Sequence, residues 1–188
     1  MDKSELLKEI SNTLVKVKVE KLAALGSKHT YSLSDLLDLT FYPKREVAFR
    51  AAWILESIVQ TDPQRFSPHV EEFLIRYPSQ TNTSCQRHFS KIMMYLTDPR
   101  SQKLLRLPDE FALEPLVEKT FEWLIDPKSP VAVQVNCLEV LFNLRQQVPW
   151  IEEELRAEII FLLHEGGAAM QTRGKAILKK LNSRRAEP

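Results

Sequence analysis

The chain has 188 residues and a formal net charge of +1 at pH 7. A chain of this size buries about 70% of its unfolded surface, and so small a charge excludes a whole-molecule field that attracts nucleic acid or anionic lipid. No stretch approaches the roughly 18 consecutive apolar residues of a membrane span, and the start of the sequence does not resemble a secretory signal. Cys85 and Cys137 fall on apolar helix faces, so we expect buried thiols and a reducing compartment, the cytoplasm.

The N-terminal segment, residues 1–26, predicts a cap helix. Ser4 is placed to cap its start and Gly26 to end it. An alternative comes from Val15, Val17 and Val19, which alternate with lysines at the period of two that strands show. A lone strand cannot satisfy its backbone, so the helix is favoured. Its apolar stripe consists of Leu7, Ile10, Leu14, Val17 and Leu25.

One apolar pattern recurs four times along the chain. In residues 45–59, Ala48, Ala52, Leu55 and Val59 have the spacing of a buried helix face. The frame returns after 37, then 48, then 37 residues, at Cys85, Phe89, Ile92 and Leu96; at Val133, Cys137, Val140 and Leu144; and at Met170, Gly174, Ile177 and Leu181. Such recurrence is typical of stacked two-helix repeats.

Four repeats are therefore predicted, at 31–62, 66–98, 110–147 and 149–182, with an inserted loop at 99–109 and a frayed tail at 183–188. The shorter first helices also repeat, because Leu33, Leu36 and Leu37 are followed 37 residues later by Val70, Phe73 and Leu74. We expect Leu104, Leu105 and Leu107 to hold the loop against the core.

Prolines mark the predicted boundaries of these helices. Asp62-Pro63 ends the second helix of repeat one, and Ser67-Pro68 is placed to open the next helix. Pro115 leaves two possibilities for the first helix of repeat three. Either that helix starts at about Glu114, or an earlier turn is kinked against it.

The pattern resembles the HEAT and armadillo-like families. The resemblance rests on helix–Pro/Asp–helix units and on the motif Arg50-Ala51-Ala52 followed by Leu55. Polar residues recur at the position of Arg50 in the later repeats, namely Arg87, Asn136 and Arg173. It implies an all-α fold, a right-handed α-α superhelix of about four helix pairs plus an N-terminal cap helix. It further implies that the second helices line a concave wall that binds partners, and it implies no chemistry.

Charge is segregated between the two sets of helices. The first helices (31–41, 66–77, 109–126, 149–165) sum to −12, whereas the second helices with the tail (44–60, 82–98, 130–147, 170–185) sum to +8. The simplest interpretation is that both are solvated faces. Of the +8, +6 lies in the last helix with the tail, where lysines and arginines also complement a helix C-terminus.

A sharper interpretation places a groove on the second helices that binds a peptide or helix of an acidic partner protein. The protein would then be a non-catalytic adaptor. Nucleic-acid binding by the same wall is the alternative, although repeat three offers only Arg145 as a cation. The predicted partner-binding residues are Arg50, Trp53, Arg87, Lys91, Met94, Phe142, Arg145, Arg173, Lys175 and Lys179.

Signals for an enzyme or a metal site are thin. Cys85 and His88 stand at i, i+3, but zinc requires three or four ligands, so a buried thiol beside a surface histidine is favoured. We expect no cofactor and no metal. An enzyme would need a deep cavity between the inserted loop and the concave wall, gathering His88 or Glu139. The three tryptophans are expected to be core or rim residues.

Overall fold

A computed structural model describes residues 1–12, 16–28, 30–101, 105 and 107–183. This part of the chain forms helices and connecting turns, without a strand. The helices are α1 (Lys3–Ser11), α2 (Lys16–Ser27), α3 (Leu33–Leu39), α4 (Arg45–Thr61), α5 (Pro63–Phe66), α6 (Val70–Arg76), α7 (Thr83–Thr97), α8 (Glu114–Ile125), α9 (Val131–Leu144), α10 (Ile151–Glu165) and α11 (Ala168–Ser183). Short 3-10 turns, Ser67–His69 and Tyr77–Ser79, flank α6.

The helices form two layers. The second helices α4, α7, α9 and α11 pack side by side in chain order, and we call them the second-helix wall. The first helices α3, α6, α8 and α10 form the first-helix wall, in which α3, α8 and α10 pack directly on α4, α9 and α11. Packing proceeds along the stack, so the structure is an α-solenoid, as the sequence predicted.

The recurrent apolar frame is the core of this stack. All sixteen of its positions, from Ala48 to Leu181, are buried, which confirms that the frame is a core stripe. The apolar positions predicted for the first helices of repeats one and two are buried too. Aromatic contacts link successive units: the rings of Phe41 and Phe89 lie 5.8 Å apart, and those of Tyr77 and Trp123 lie 4.6 Å apart.

The N-terminal segment differs from the prediction, because two helices replace the single cap helix. Asp2, and not Ser4, caps α1. The Asp2 side chain accepts a hydrogen bond from the Glu5 amide, and the Asp2 amide donates to the Glu5 carboxylate, which completes a capping box. Residues 16–27 are helical, so the strand alternative fails for Val19. The helix α2 runs one residue past the predicted stop at position 26. Positions 14 and 15 lie outside the described residues.

The start of repeat two also differs. Asp62 ends α4, as predicted, but it also caps α5, since its carboxylate accepts from the Arg65 amide at 3.3 Å. The chain therefore resumes a helix at Pro63, with proline in its first turn. Ser67-Pro68 does not open the first helix and instead begins the 3-10 turn before α6.

In repeat three the first of the two possibilities holds. The helix α8 begins at Glu114 with Pro115 in its first turn, where the missing amide hydrogen has no cost. In the inserted loop, Leu105 is buried and Leu107 packs against the core, whereas Leu104 lies outside the described residues.

Candidate functional site

A cleft of about 690 Å³ opens in the second-helix wall between α7, α9 and α11, and we call it the second-helix cleft. Each helix contributes positions at helical spacing: 91, 94, 95 and 98 from α7 and the turn after it, 139, 142, 143 and 146 from α9 and its end, and 173 and 180 from α11. The cleft is lined by Lys91, Met94, Tyr95, Asp98, Pro99, Arg100, Glu139, Phe142, Asn143, Arg145, Gln146, Arg173 and Lys180.

The floor of the cleft is the ring of Phe142, which is half-buried. The Arg145 guanidinium lies 3.7 Å from the ring centroid, and the Lys180 ammonium lies 5.3 Å from it. Both distances are in the range of cation–π attraction. Met94 adds a second half-buried apolar side chain. The cleft therefore combines an apolar base with cations held directly above it.

Carboxylates compensate several of the cations. Arg100 donates to both oxygens of Asp98, at 2.7 and 3.1 Å, and these hydrogen bonds hold the pKa of Asp98 below its ordinary value. Arg173 forms an ion pair with Glu139. Lys180 has no carboxylate partner among the described residues, and its uncompensated ammonium lies over the Phe142 ring.

The structure brings together five of the ten predicted partner-binding residues, namely Lys91, Met94, Phe142, Arg145 and Arg173. Lys175 and Lys179 lie on another face of α11, where they line a separate shallow depression. Arg87 is exposed on α7 and does not line the cleft. Trp53 does not line the cleft, and the residues at its position in the next two repeats, Ser90 and Leu138, are fully buried.

Arg50 has a structural role that the sequence did not suggest. Its guanidinium donates to the carbonyl oxygens of Ile10 at 3.3 Å and Ser11 at 2.7 Å, at the C-terminal end of α1. Those carbonyls have no partner within their own helix, and a cation there also complements the helix dipole. Arg50 therefore holds α1 against α4 and does not belong to the cleft.

A buried polar cluster lies within the second-helix wall, between Glu56 on α4 and His88 on α7. The Glu56 carboxylate accepts from His88 Nδ1 at 2.5 Å, from Lys91 Nζ at 2.6 Å and from Gln60 Nε2 at 2.6 Å. Burial raises the pKa of Glu56, but the hydrogen bonds from His88 and Lys91 outweigh it, so the carboxyl pKa lies below its ordinary value. The cluster anchors Lys91 at the edge of the cleft.

His88 corrects a second expectation, because it is only 6% exposed and was predicted to lie on the surface. Its ring is packed against Phe49, at 5.2 Å between centroids, and is stacked on Trp53 at 6.4 Å. Its Nε2 is buried without a hydrogen-bond partner among the described residues. The ring is therefore bonded to Glu56 through Nδ1 and packed against two aromatic residues of the same helix, α4.

Tyr95, Asp98, Arg100 and Lys180 line the cleft but were not predicted. A signal for Lys180 exists in the sequence, because it stands seven residues after Arg173 and hence on the same helix face. The predicted Lys175 and Lys179 are four residues apart and share a different face. Asp98 and Arg100 could not be found in this way, since they follow α7 in the turn that leads into the inserted loop.

Stacked helix pairs with a cleft on one wall define a helical-repeat protein. The HEAT repeat domain family matches residues 4–181, so the chain belongs to that family. HEAT repeats generally mediate protein–protein interactions, and proteins built from them are typically non-enzymatic scaffolds. No curated protein and no solved structure matches the chain. Among the described residues, no helix has the length and apolar content needed to cross a membrane.

Proposed function

We propose that this HEAT repeat protein is a non-catalytic adaptor that binds an acidic segment of another protein in the second-helix cleft. The cleft supports this proposal, because five cationic and two anionic side chains give it a net charge of +3 above an apolar base. An apolar side chain of the partner would pack on Phe142 and Met94. The partner's carboxylates would lie near Lys180, and the cations around the cleft would steer the approach.

Nucleic-acid binding has less support. Phosphate binding requires several cations that can replace the counterions of the nucleic acid. In this wall, Lys91 and Arg173 are paired with carboxylates and Arg50 is bonded to α1. Free, buried thiols at Cys85 and Cys137 support a reducing compartment such as the cytoplasm for the proposed adaptor.

Affinity capture from the source cells tests the proposal. The wild type is compared with a double charge reversal in the cleft, Arg173→Glu with Lys180→Glu. Both side chains are exposed, and thermal unfolding of the variant checks that losing the ion pair between Arg173 and Glu139 leaves the fold intact. Lys175→Glu is the matched control, since it changes the same charge on another face of α11.

We expect a protein partner that the wild type and Lys175→Glu retain and that the double reversal loses. A synthetic peptide rich in Glu and Leu should compete for the same site. Retention of every partner by the double reversal contradicts the proposal. The nucleic-acid alternative is supported instead if nuclease removes the captured material, and if that material stays bound at ~50 mM salt and is released at higher salt.

A further inference from the structure

A second groove, of about 940 Å³, lies on the first-helix wall between α8 and α10. We call it the first-helix groove. Its apolar residues include Phe161, which is 70% exposed, Ile125, which is 54% exposed, and Trp150, which is 42% exposed. The Trp150 ring is stacked on Phe121 at 5.4 Å. Large apolar side chains gathered in one exposed patch are typical of interaction sites on otherwise polar surfaces.

The groove is formed by a second stripe on each helix, beside the stripe that enters the core. On α8 the core stripe includes Leu116, Val117 and Leu124, whereas positions 118, 121, 122 and 125 follow i, i+3, i+4, i+7 spacing and line the groove. On α10 the buried positions are 151, 155 and 159, whereas 154, 157, 158 and 161 line the groove. Ile125 and Phe161 are therefore left uncovered by any element that the structure describes.

The groove is also strongly acidic. Four glutamates line it, Glu118, Glu122, Glu154 and Glu158, without any lysine or arginine among its lining residues. Of these four glutamates, Glu122 alone forms an ion pair with another described residue, Lys119, at 2.5 Å. Glu158 is half-buried, and this burial raises its pKa. A cation placed beside Glu158 would therefore relieve an existing electrostatic cost.

We propose that the first-helix groove binds a basic amphipathic helix of another protein. The apolar face of that helix would pack on Phe161, Ile125 and Trp150, as helices do in hydrophobic grooves. Its Lys or Arg residues would pair with the unpaired glutamates at the rim. This surface is separate from the second-helix cleft, so the inference goes beyond the adaptor function proposed above.

Charge complementarity favours this occupant over the two others that an apolar groove admits. In a symmetric contact with a second copy, the same patch meets itself, so the glutamates of both copies would face one another. Like charges placed together across an interface are unfavourable. An anionic membrane surface would repel the same carboxylates.

Isothermal titration calorimetry with a defined probe tests the proposal. The probe is a synthetic peptide of roughly 16 residues, about 24 Å of helix, with Leu on one face and Lys on the other. The matched peptide has Glu in place of Lys. We expect the wild type to bind the lysine peptide at least about tenfold more tightly than the glutamate peptide, with an affinity that falls as salt is added.

Matched variants locate the binding. Phe161→Ala should weaken binding of the lysine peptide about tenfold, since it removes an exposed anchor and leaves the core intact. The double variant Glu154→Lys with Glu158→Lys should weaken it at least as much. The controls are Ile160→Ala and Glu153→Lys, exposed neighbours that do not line the groove, and they should stay within about twofold of wild type.

Three results would overturn the proposal. The first is equal affinity for the two peptides, or no binding of the lysine peptide. The second is an equal loss of affinity for the lysine peptide in the groove variants and in the controls. The third is a wild-type dimer in sedimentation that Phe161→Ala dissociates, which would assign the groove to a second copy of the chain. The second-helix double reversal, Arg173→Glu with Lys180→Glu, should bind the lysine peptide normally, so failure of one site does not affect the test of the other.

Discussion

The buried cluster around Glu56 should contribute measurably to stability, and the substitution Glu56→Gln tests this. Three donors, on His88, Lys91 and Gln60, converge on the two carboxylate oxygens. A carboxylate oxygen only accepts, so His88 Nδ1 is the donor in that contact. Glutamine has nearly the same shape but offers one oxygen and one NH₂ group. At least one donor would then face another donor inside the protein.

The size of the effect follows from the exposure of the partners. Removing one member of a fully buried ion pair costs about 3–5 kcal/mol. The His88 and Glu56 side chains are 8% and 9% exposed, but His88 carries a charge only when its ring is protonated, and Lys91 is 44% exposed and can return to water. A pair with an exposed lysine contributes about 1 kcal/mol or less, and a hydrogen bond to a charged group about 1.5–3 kcal/mol. We therefore expect Glu56→Gln to lower the free energy of unfolding by about 2–3 kcal/mol at pH 7.

The effect should depend on pH in a defined direction. Because the hydrogen bonds hold the folded-state pKa of Glu56 below its ordinary value of 4.5, the charged carboxylate stabilises the fold above that pH. This contribution is lost as the pH falls through the folded-state pKa. The difference between wild type and Glu56→Gln should therefore be complete at pH 7 and should decrease below pH 4.5.

Urea unfolding followed by circular dichroism, from pH 7 down to about pH 3, measures both quantities. Glu46→Gln is the matched control, because Glu46 is exposed in the first turn of the same helix and should change stability by at most about 0.5 kcal/mol. The reasoning is refuted if Glu56→Gln matches the control at pH 7, or if its full deficit persists at the lowest pH.

Three further predictions concern single positions. Arg50→Ala should free the carbonyls at the end of α1 and cost about 1–2 kcal/mol, seen as faster hydrogen exchange in α1 with α9 unchanged. Gly166→Ala should destabilise by about 1–3 kcal/mol in thermal unfolding, since the added Cβ would lie 2.5 Å from a backbone oxygen, whereas Gly167→Ala meets nothing within 4 Å and should be nearly neutral. Burial raises the pKa of both thiols, to about 12 for Cys85, so Cys85 and Cys137 should react with a disulfide reagent at pH 8 only after denaturation.

The repeat could be predicted because a packed core imposes a period on the sequence. Residues such as Leu55, Ile92, Val140 and Ile177 occupy equivalent buried positions, and each unit must bury its stripe against the next one. A period of this kind survives changes in loop length, as the eleven additional residues between repeats two and three show. The fold class therefore followed from the spacing alone, without any single diagnostic residue.

Contacts between distant segments could not be predicted in the same way. Arg50 bonds to a carbonyl 40 residues earlier in the chain, and no local pattern specifies how α1 returns to α4. The predicted surface position of His88 failed for a related reason, since Glu56, 32 residues away, supplies the partner that makes its burial tolerable. The start of α1 at Asp2, in contrast, could have been predicted, because the spacing of Asp2 and Glu5 in the sequence is that of a capping box.

The two proposed surfaces also explain why the net charge of the chain carries so little information. In a solenoid each repeat contributes one helix to each wall, so a sequence can place acidic residues in first helices and basic residues in second helices while the sum stays near zero. Over the described residues the two sets of helices sum to −12 and +6, and these sums are a property of the walls and not of the molecule. Screening over about 8–10 Å at physiological salt keeps each field local. Partners of opposite charge can consequently bind the same chain at different walls, and a charge reversal on one wall should alter binding there while leaving the other wall's partner unaffected.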